Sequence, residues 1–347
     1  MFDSLYPLFT YDLGIDLGTS NIRIFIKGKG IAVREPSVMV WERKTKEVVA
    51  IGSQAKKMIG KTPQNLEIIK PLGEGVIADF EATKALLAFF IKEVHKNNRF
   101  PPMIPKPKVV VNIPSGVTEV ERKAVIDAAT AAGARKVFLI EQPLAAALGA
   151  GLDIFGSSGV LVVVLGGGVT DMAVISLGGI VQGKCLKVAG EEMNDALINF
   201  LRLKYSLLTG ELTAEQLKYE IGSVIVSSKN ETKKALVRGR DLEKGMPVSV
   251  QVTAGEVREA LAPVVNQIVG VVSDLIEETP PELLTDIAKT GICLCGGGAN
   301  LLGIDRLITE ITKIPAWIAD KPEDCVVRGC GKLLDNGQLL KKVGIEK

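Results

Sequence analysis

The sequence predicts an α/β protein of two similar domains that face each other across a cleft, each carrying a smaller inserted subdomain. Three observations lead there. Glycine occurs 36 times in 347 residues and clusters where apolar, β-branched runs end, the pattern of strands that turn where something approaches the backbone closely. The pattern of strand, glycine turn, strand, glycine turn occurs twice, with Asp16 set over Val164, 148 residues apart. Stretches with one apolar helical face separate these strands. A strand unit repeated at about half the chain length is the mark of a duplicated domain, and two such units meet along a cleft.

The first copy runs Gly14-Ile15-Asp16-Leu17-Gly18-Thr19-Ser20-Asn21, then the alternating strand Ile22 to Ile26 and the turn Lys27 to Gly30. Residues 35 to 72 lack a βαβ rhythm and read as an inserted subdomain. Phe80 to Asn97 reads as a helix that Asp79 can N-cap, with Leu87, Phe90, Ile91 and Val94 stacked on one face. The Pro-rich stretch from Pro101 to Pro107 reads as a loop. The strand Val109 to Ile113, the helix Val117 to Ala132, the strand Val137 to Ile140 and the helix Gln142 to Gly151 follow.

The second copy runs Leu161 to Leu165, then Gly166-Gly167-Gly168-Val169-Thr170-Asp171, the strand Met172 to Leu177 and the turn Gly178-Gly179. Helices are expected over Glu191 to Tyr205, Thr213 to Gly222 and Thr253 to Glu278, and strands over Val248 to Val252 and Ala316 to Ala319. A third glycine cluster, Gly296-Gly297-Gly298-Ala299, follows the strand Gly291 to Cys295 and is expected to lead into a helix from Asn300 to Ile311. The boundaries predicted are a first domain over 1–147 with a subdomain at about 35–80, and a second over 148–324 with a subdomain at about 205–250. Residues 325–347 are expected to return to the first domain.

Lys plus Arg number 42 against 40 Asp plus Glu, a balance of +2 that supplies no field to gather nucleic acid. No apolar run approaches the ~20 residues that span a bilayer, so no transmembrane helix is expected. The N-terminal residues carry Asp3 and no basic stretch, unlike a secretory signal. Five cysteines, an odd number, fit a reducing cytoplasm. Cys293 and Cys295 alternate on one strand, Cys325 and Cys330 fall on a helix, and buried thiols are expected rather than a zinc site.

A glycine turn between strands exposes backbone N–H groups to phosphate oxygens with no Cβ in the way, and Thr19, Ser20 and Asn21 add donors. Asp16 ends an apolar strand, where an unpaired carboxylate is costly to bury and where holding hydrated Mg²⁺ against phosphates is a natural use. The bland alternative is an Asp that caps the turn. Gly60-Lys61-Thr62 ends like a P-loop, but Ala55 stands where that motif needs glycine. Gly73 to Ala78 matches a dinucleotide fingerprint but runs into the Phe80 helix instead of a βαβ unit. His95, the one histidine, falls opposite Leu87 and Phe90 and is expected on the solvated face. That leaves histidine-dependent triads and zinc sites without support.

The segments GIDLGTSN, KGKGIAVREPSV, GVIADFE, IEQPLAAALGAGL, GGGVTDMAVISLGGIV, TAEQLKYEIGS and CGGGANLLGIDRL together resemble the MreB family, bacterial actin homologues that set rod shape. They occur in family order over nearly the whole chain. The resemblance implies the actin-like ATPase fold, ATP or ADP with Mg²⁺ in the cleft, homopolymeric filaments, attachment to the inner face of the plasma membrane and cell-wall elongation proteins as partners. It makes Asp16, Gly18, Thr19, Ser20 and Asn21 the first phosphate loop, with Asp16 toward the metal, and Gly166, Gly167, Gly168, Val169 and Thr170 the second. Gly190, Glu215, Gln216 and Lys218 would line the ribose and adenine, and Gly296, Gly297, Gly298 and Ala299 the adenosine loop.

Two departures bear on catalysis. The family opens its second phosphate loop with Asp, where this chain has Val164, and places Glu where this chain has Gln142. Gln can orient water but cannot take its proton, and eukaryotic actin, which also uses Gln there, still hydrolyses ATP. Glu141, one residue earlier, projects about 100° away at a helix start. Gln142 and Thr170 are the catalytic candidates, and a slow ATPase is expected, the rival being a filament scaffold with little or no hydrolysis. A sugar kinase or chaperone-type ATPase would need inserts for which 347 residues leave no room. Two apolar stretches suit insertion at an anionic membrane: Phe2, Leu5 and Phe9, and the loop of Phe100, Met103 and Ile104 beside Arg99, Lys106 and Lys108.

Overall fold

The computed structural model describes residues 10–96, 106–226 and 232–345. Two five-stranded sheets share one topology. The first holds β1 (Leu13–Leu17), β2 (Asn21–Ile26), β3 (Gly30–Pro36), β4 (Lys108–Ile113) and β5 (Lys136–Glu141) in the order β5-β4-β1-β2-β3. The second holds β6 (Val160–Leu165), β7 (Thr170–Ser176), β8 (Gly179–Leu186), β9 (Ile292–Cys295) and β10 (Ala316–Ile318) in the order β10-β9-β6-β7-β8. In each, three strands form an antiparallel meander and two join it in parallel. The sequence repeat is thus a repeat of sheet order and strand sense.

Burial follows position in the sheet. Every residue of β6 and β7 is buried, which requires the unbroken apolar run Val160 to Leu165, whereas the edge strand β8 alternates. Helices α1 (Phe80–His95), α2 (Glu119–Ala131) and α3 (Gln142–Ala150) serve the first half. Helices α4 (Gly190–Tyr205), α5 (Glu211–Ile221), α6 (Ala254–Glu277), α7 (Pro281–Thr290) and α8 (Ile304–Thr312) serve the second. Asp79 caps α1 by accepting from the Ala82 N–H at 2.9 Å, while Thr118 with Glu121 and Thr253 with Glu256 close capping boxes on α2 and α6.

By length and composition α6 could cross a bilayer. Nine of its residues, spaced as one helical face, instead pack into the second half's core. Small antiparallel sheets stand beside each main sheet, one from Met39–Glu42, Val48–Ile51 and Leu66–Ile69, the other from Leu207–Leu208, Lys234–Asp241 and Pro247–Thr253.

After β10 the chain returns to the first sheet as α9 (Cys325–Asp335) and α10 (Gly337–Val343), and Leu139 of β5 bridges Ile345. The crossing of α9 with α3 is close. A Cβ on Gly149 would overlap the Cys325 carbonyl, and one on Gly329 would overlap the Ala145 carbonyl, so the helices touch backbone to backbone. Gly14 meets Cys330 on the other side of α9. Cys293, Cys295, Cys325 and Cys330 are all buried around this junction, with Cys293 Sγ and Cys295 Sγ 3.8 Å apart.

Three expectations are corrected. The helix expected from Asn300 starts only at Ile304, because Gly303 at φ +86° breaks the chain direction after a single 3-10 turn. Strand β3 falls partly in the stretch that lacked periodicity, and α7, opened by Pro280-Pro281, was not expected. His95 is buried, not solvated, because residues 10–11 cover that end of α1. Its Nδ1 lies 2.6 Å from the Ile91 carbonyl, and its Nε2 accepts from the Tyr11 N–H at 3.0 Å. This is a neutral ring, and burial holds its pKa below the usual value.

Gly329→Ala should cost about 3 kcal/mol or more, because backbone on both sides must move. Gly270→Ala on α6, where a Cβ meets nothing within 4 Å, should gain up to about 1 kcal/mol. Urea denaturation of the two variants beside wild type checks both signs.

Candidate functional site

The two repeated hairpins bring their glycine turns together. A Cβ on Gly168 would stand 2.7 Å from Thr19 Oγ1, and one on Gly167 would overlap Ser20, so hydroxyls of the first turn pack on glycines of the second. Around them lies a cavity of about 340 Å³, within the size range of small-molecule sites. Its wall includes Asp16, 18–21, Gln142, 166–169, Gly190, Glu215, Lys218 and 296–298. Elements far apart in the chain converge here because both hairpins, the start of α3, the start of α4, α5 and the turn after β9 end at the same cleft.

Three candidates lie elsewhere. Thr170 is fully buried and its hydroxyl donates to the Val188 carbonyl at 2.8 Å, which anchors β7 to the chain before α4. Gln216 is exposed on the outer side of α5, one residue out of phase with Glu215. Ala299 is packed into the second half's core, leaving only the three glycines before it at the wall. The proposed membrane residues Phe2, Leu5, Phe9, Phe100, Met103 and Ile104 lie outside the described residues.

Charge in the cleft is paired. Burial pushes the Asp16 carboxyl up to about 6, against the pull of Arg23, whose Nη1 lies 3.4 Å from Asp16 Oδ2, and of Asn112. Burial lowers Lys218 to about 8, with Glu215 and Glu191 opposing, and its Nζ donates to the Gly190 carbonyl at 2.7 Å. At the mouth, Lys56 pairs with Glu215 at 2.6 Å, and Lys70 pairs with Glu191 and Glu211 at 3.4 and 2.7 Å. These bridges join the segments that flank the strands of the small sheet of the first half to α4 and α5 of the second.

A family model described as MreB/Mbl protein matches residues 10–342. The chain belongs to the MreB/Mbl family. It is 46% identical over 332 residues to the cell shape-determining protein MreB of Escherichia coli K12, covering 94% of each chain. It is 43% identical over 335 residues to the cell shape-determining protein Mbl of Bacillus subtilis strain 168, covering 96% of this chain and 99% of that one. Among solved structures, MreB5 of Spiroplasma citri bound to ADP superposes with a TM-score of 0.89 at 36% identity, covering 96% of this chain and 98% of that one. A MamK double helical filament superposes at 0.78 with 20% identity, which speaks to the fold alone. The fold is the actin-like fold.

In this MreB/Mbl member the residue facing Val164 is an acid that the sequence reading passed over. Val164 and Asp171 are register partners on β6 and β7, as Asp16 and Arg23 are on β1 and β2. The offset that sets Asp16 over Val164 also sets Arg23 over Asp171, and that signal was in the sequence. Asp171 is fully buried, and its Oδ2 accepts the Ser115 N–H at 2.8 Å from the first half, while Oδ1 has no partner. Burial pushes its carboxyl up to about 7, Ser115 opposes this, and the neighbouring Glu141, itself raised by burial, adds to it.

The folded protein thus favours protonated Asp171. Its contribution to stability is present below about pH 4 and is lost as pH rises through about 7. Asp171→Asn keeps an acceptor for Ser115 without the charge. Its stability relative to wild type should rise between pH 4 and pH 8 by on the order of 4 kcal/mol. Thermal melts of both proteins across that range check the slope.

Proposed function

We propose that this chain binds adenine nucleotide between its two glycine hairpins and polymerises into membrane-associated filaments that direct cell-wall synthesis and rod shape. The observation that carries the nucleotide reading is the apposition of the turns at 18–21 and 166–169 across one cavity, which offers two sets of backbone N–H groups to a polyphosphate. The ADP-bound and AMPPNP-bound MreB5 relatives at TM-scores of 0.89 and 0.88 support it. Self-association is supported by the MamK filament's shared fold and by the family's part in cell shape.

Hydrolysis is slow on this reading. Gln142, at the start of α3 and 8% exposed, lines the cavity and can hold a water by hydrogen bonds. It cannot accept the water's proton. Magnesium, implied by the family resemblance, finds a poor set of donors: Asp16 is already paired with Arg23, and the position across the cleft is the apolar Val164.

Sedimentation with ATP, ADP and no nucleotide, with phosphate release measured in the same tubes, tests the reading. Nucleotide-dependent polymer with slow phosphate release is expected. Polymer without phosphate would select the scaffold, and phosphate without polymer would remove the filament. Val164→Asp combined with Gln142→Glu should raise turnover by more than the two single effects combined, since both act at one reacting water; simple additivity in ln k would separate their roles.

Membrane attachment rests on the apolar residues of 2–9 and 100–104. Each patch would bury only a few side chains, at about 1.5 to 3 kcal/mol per large residue before ordering costs, so binding to anionic liposomes should depend on polymerisation. Co-sedimentation with and without residues 1–9, and with Phe100→Ser and Ile104→Ser, measures it. Equal pelleting of the doubly lesioned protein, with filaments equally abundant, would exclude both patches.

A further inference from the structure

We propose that Arg23 is the resident cation of the nucleotide site, standing at Asp16 where a divalent metal would otherwise bind, so that this chain holds nucleoside di- and triphosphates without a metal ion. The proposal rests on the nucleotide reading above and goes beyond it in naming what balances the phosphate charge.

Asp16 and Arg23 are register partners on β1 and β2, so both side chains leave the same face of the sheet beside the turn at 18–21. The guanidinium meets the carboxylate at 3.4 Å, and both residues line the cavity. Asp16 is 4% exposed. A hydrated Mg²⁺ would have to displace the guanidinium or sit beside it as a like charge.

Arg23 is held in place from behind. Its Nε lies 3.6 Å from Asp324 Oδ1, and Arg34 grips the same Asp324 with a two-pronged fork, Nε to Oδ1 at 3.1 Å and Nη2 to Oδ2 at 2.8 Å. Arg34 and Arg23 hold the Asp324 carboxyl below the usual carboxylate range against its burial. The four side chains form a row of alternating charge, Arg34, Asp324, Arg23 and Asp16, whose last two members line the cavity.

A guanidinium carries five N–H donors. The Arg23 Nε is buried and faces Asp324, while its terminal nitrogens, on a residue that lines the cavity, spend one hydrogen bond on Asp16. Donors therefore remain for phosphate oxygens, which guanidinium binds with a geometry that a point cation lacks.

The opposite wall agrees. Val164 is 1% exposed within an apolar cluster, and the acid across from it, Asp171, is turned to the Ser115 N–H outside the cavity wall. The second hairpin thus brings no carboxylate to the phosphates from the position that pairs with Asp16 in the repeat. The arginine at one wall and the carboxylate withheld from the other act the same way, toward neutralising phosphate with protein charge.

Calorimetric titration of the full chain with ADP and with AMPPNP, in millimolar magnesium and in EDTA, tests this. Wild-type affinity should agree between the two buffers within about threefold. Arg23→Leu should lose about tenfold or more in EDTA and recover most of it in magnesium, with Arg23→Lys between the two.

Wild-type binding at least about tenfold tighter with magnesium would overturn the proposal and leave the nucleotide reading standing. An equal loss for Arg23→Leu in both buffers would make Arg23 an ordinary phosphate ligand and overturn the substitution for metal. No binding in either buffer would remove the nucleotide reading and this proposal together. Should Arg23→Leu fail to fold, the wild-type comparison decides alone.

Discussion

The seat of α9 on α3 is the constraint from which the site follows. Two helices can approach to backbone contact only where neither carries a side chain, and Gly149 and Gly329 supply that absence on opposite partners. Because α9 also rests on Gly14 of β1, one helix fixes the first sheet against the helix that leaves β5. Its N-cap is Asp324, so the same seat delivers a buried carboxylate to Arg23 and Arg34. A shift of this crossing would disturb both the ion row at the cleft floor and the apolar cluster that α3 and α9 share.

The two hairpins share a backbone plan and differ in electrostatics. In the first, the register pair at the turn is an acid and a base that meet each other; in the second it is a valine and an acid turned away to the opposite half. Asp171 therefore acts as a tie between halves, accepting the Ser115 N–H, and not as a wall of the cavity. Duplication gave two copies of one turn, and divergence of four side chains made one a charged floor and the other a neutral lid.

What could be read from sequence was what is local. Glycine turns after apolar runs, the caps at Asp79, Thr118 and Thr253 and the apolar face of α6 carry their meaning within a few residues. Arg23 was hidden because Ile22-Arg23-Ile24 looks like any half-exposed strand with its charge toward water, and only Asp324, about three hundred residues on, brings it inward. Asp171 was hidden in the same way, although the repeat that aligned Asp16 with Val164 held the clue. Gln216 and Ala299 each miss the wall by a single residue, a rotation of about 100° along a helix that composition does not carry. His95 was misplaced because the helical face was read without the segment at residues 10–11 that covers it.

The lysines at the cleft mouth tie its closure to salt. Lys56 and Lys70, beside the small sheet of the first half, reach α4 and α5 of the second through three ion pairs, all at least partly open to solvent. Each is worth up to about 1 kcal/mol, less as salt rises. Together they make the hold of one half on the other at the cleft mouth a quantity that the ionic strength of the surroundings sets.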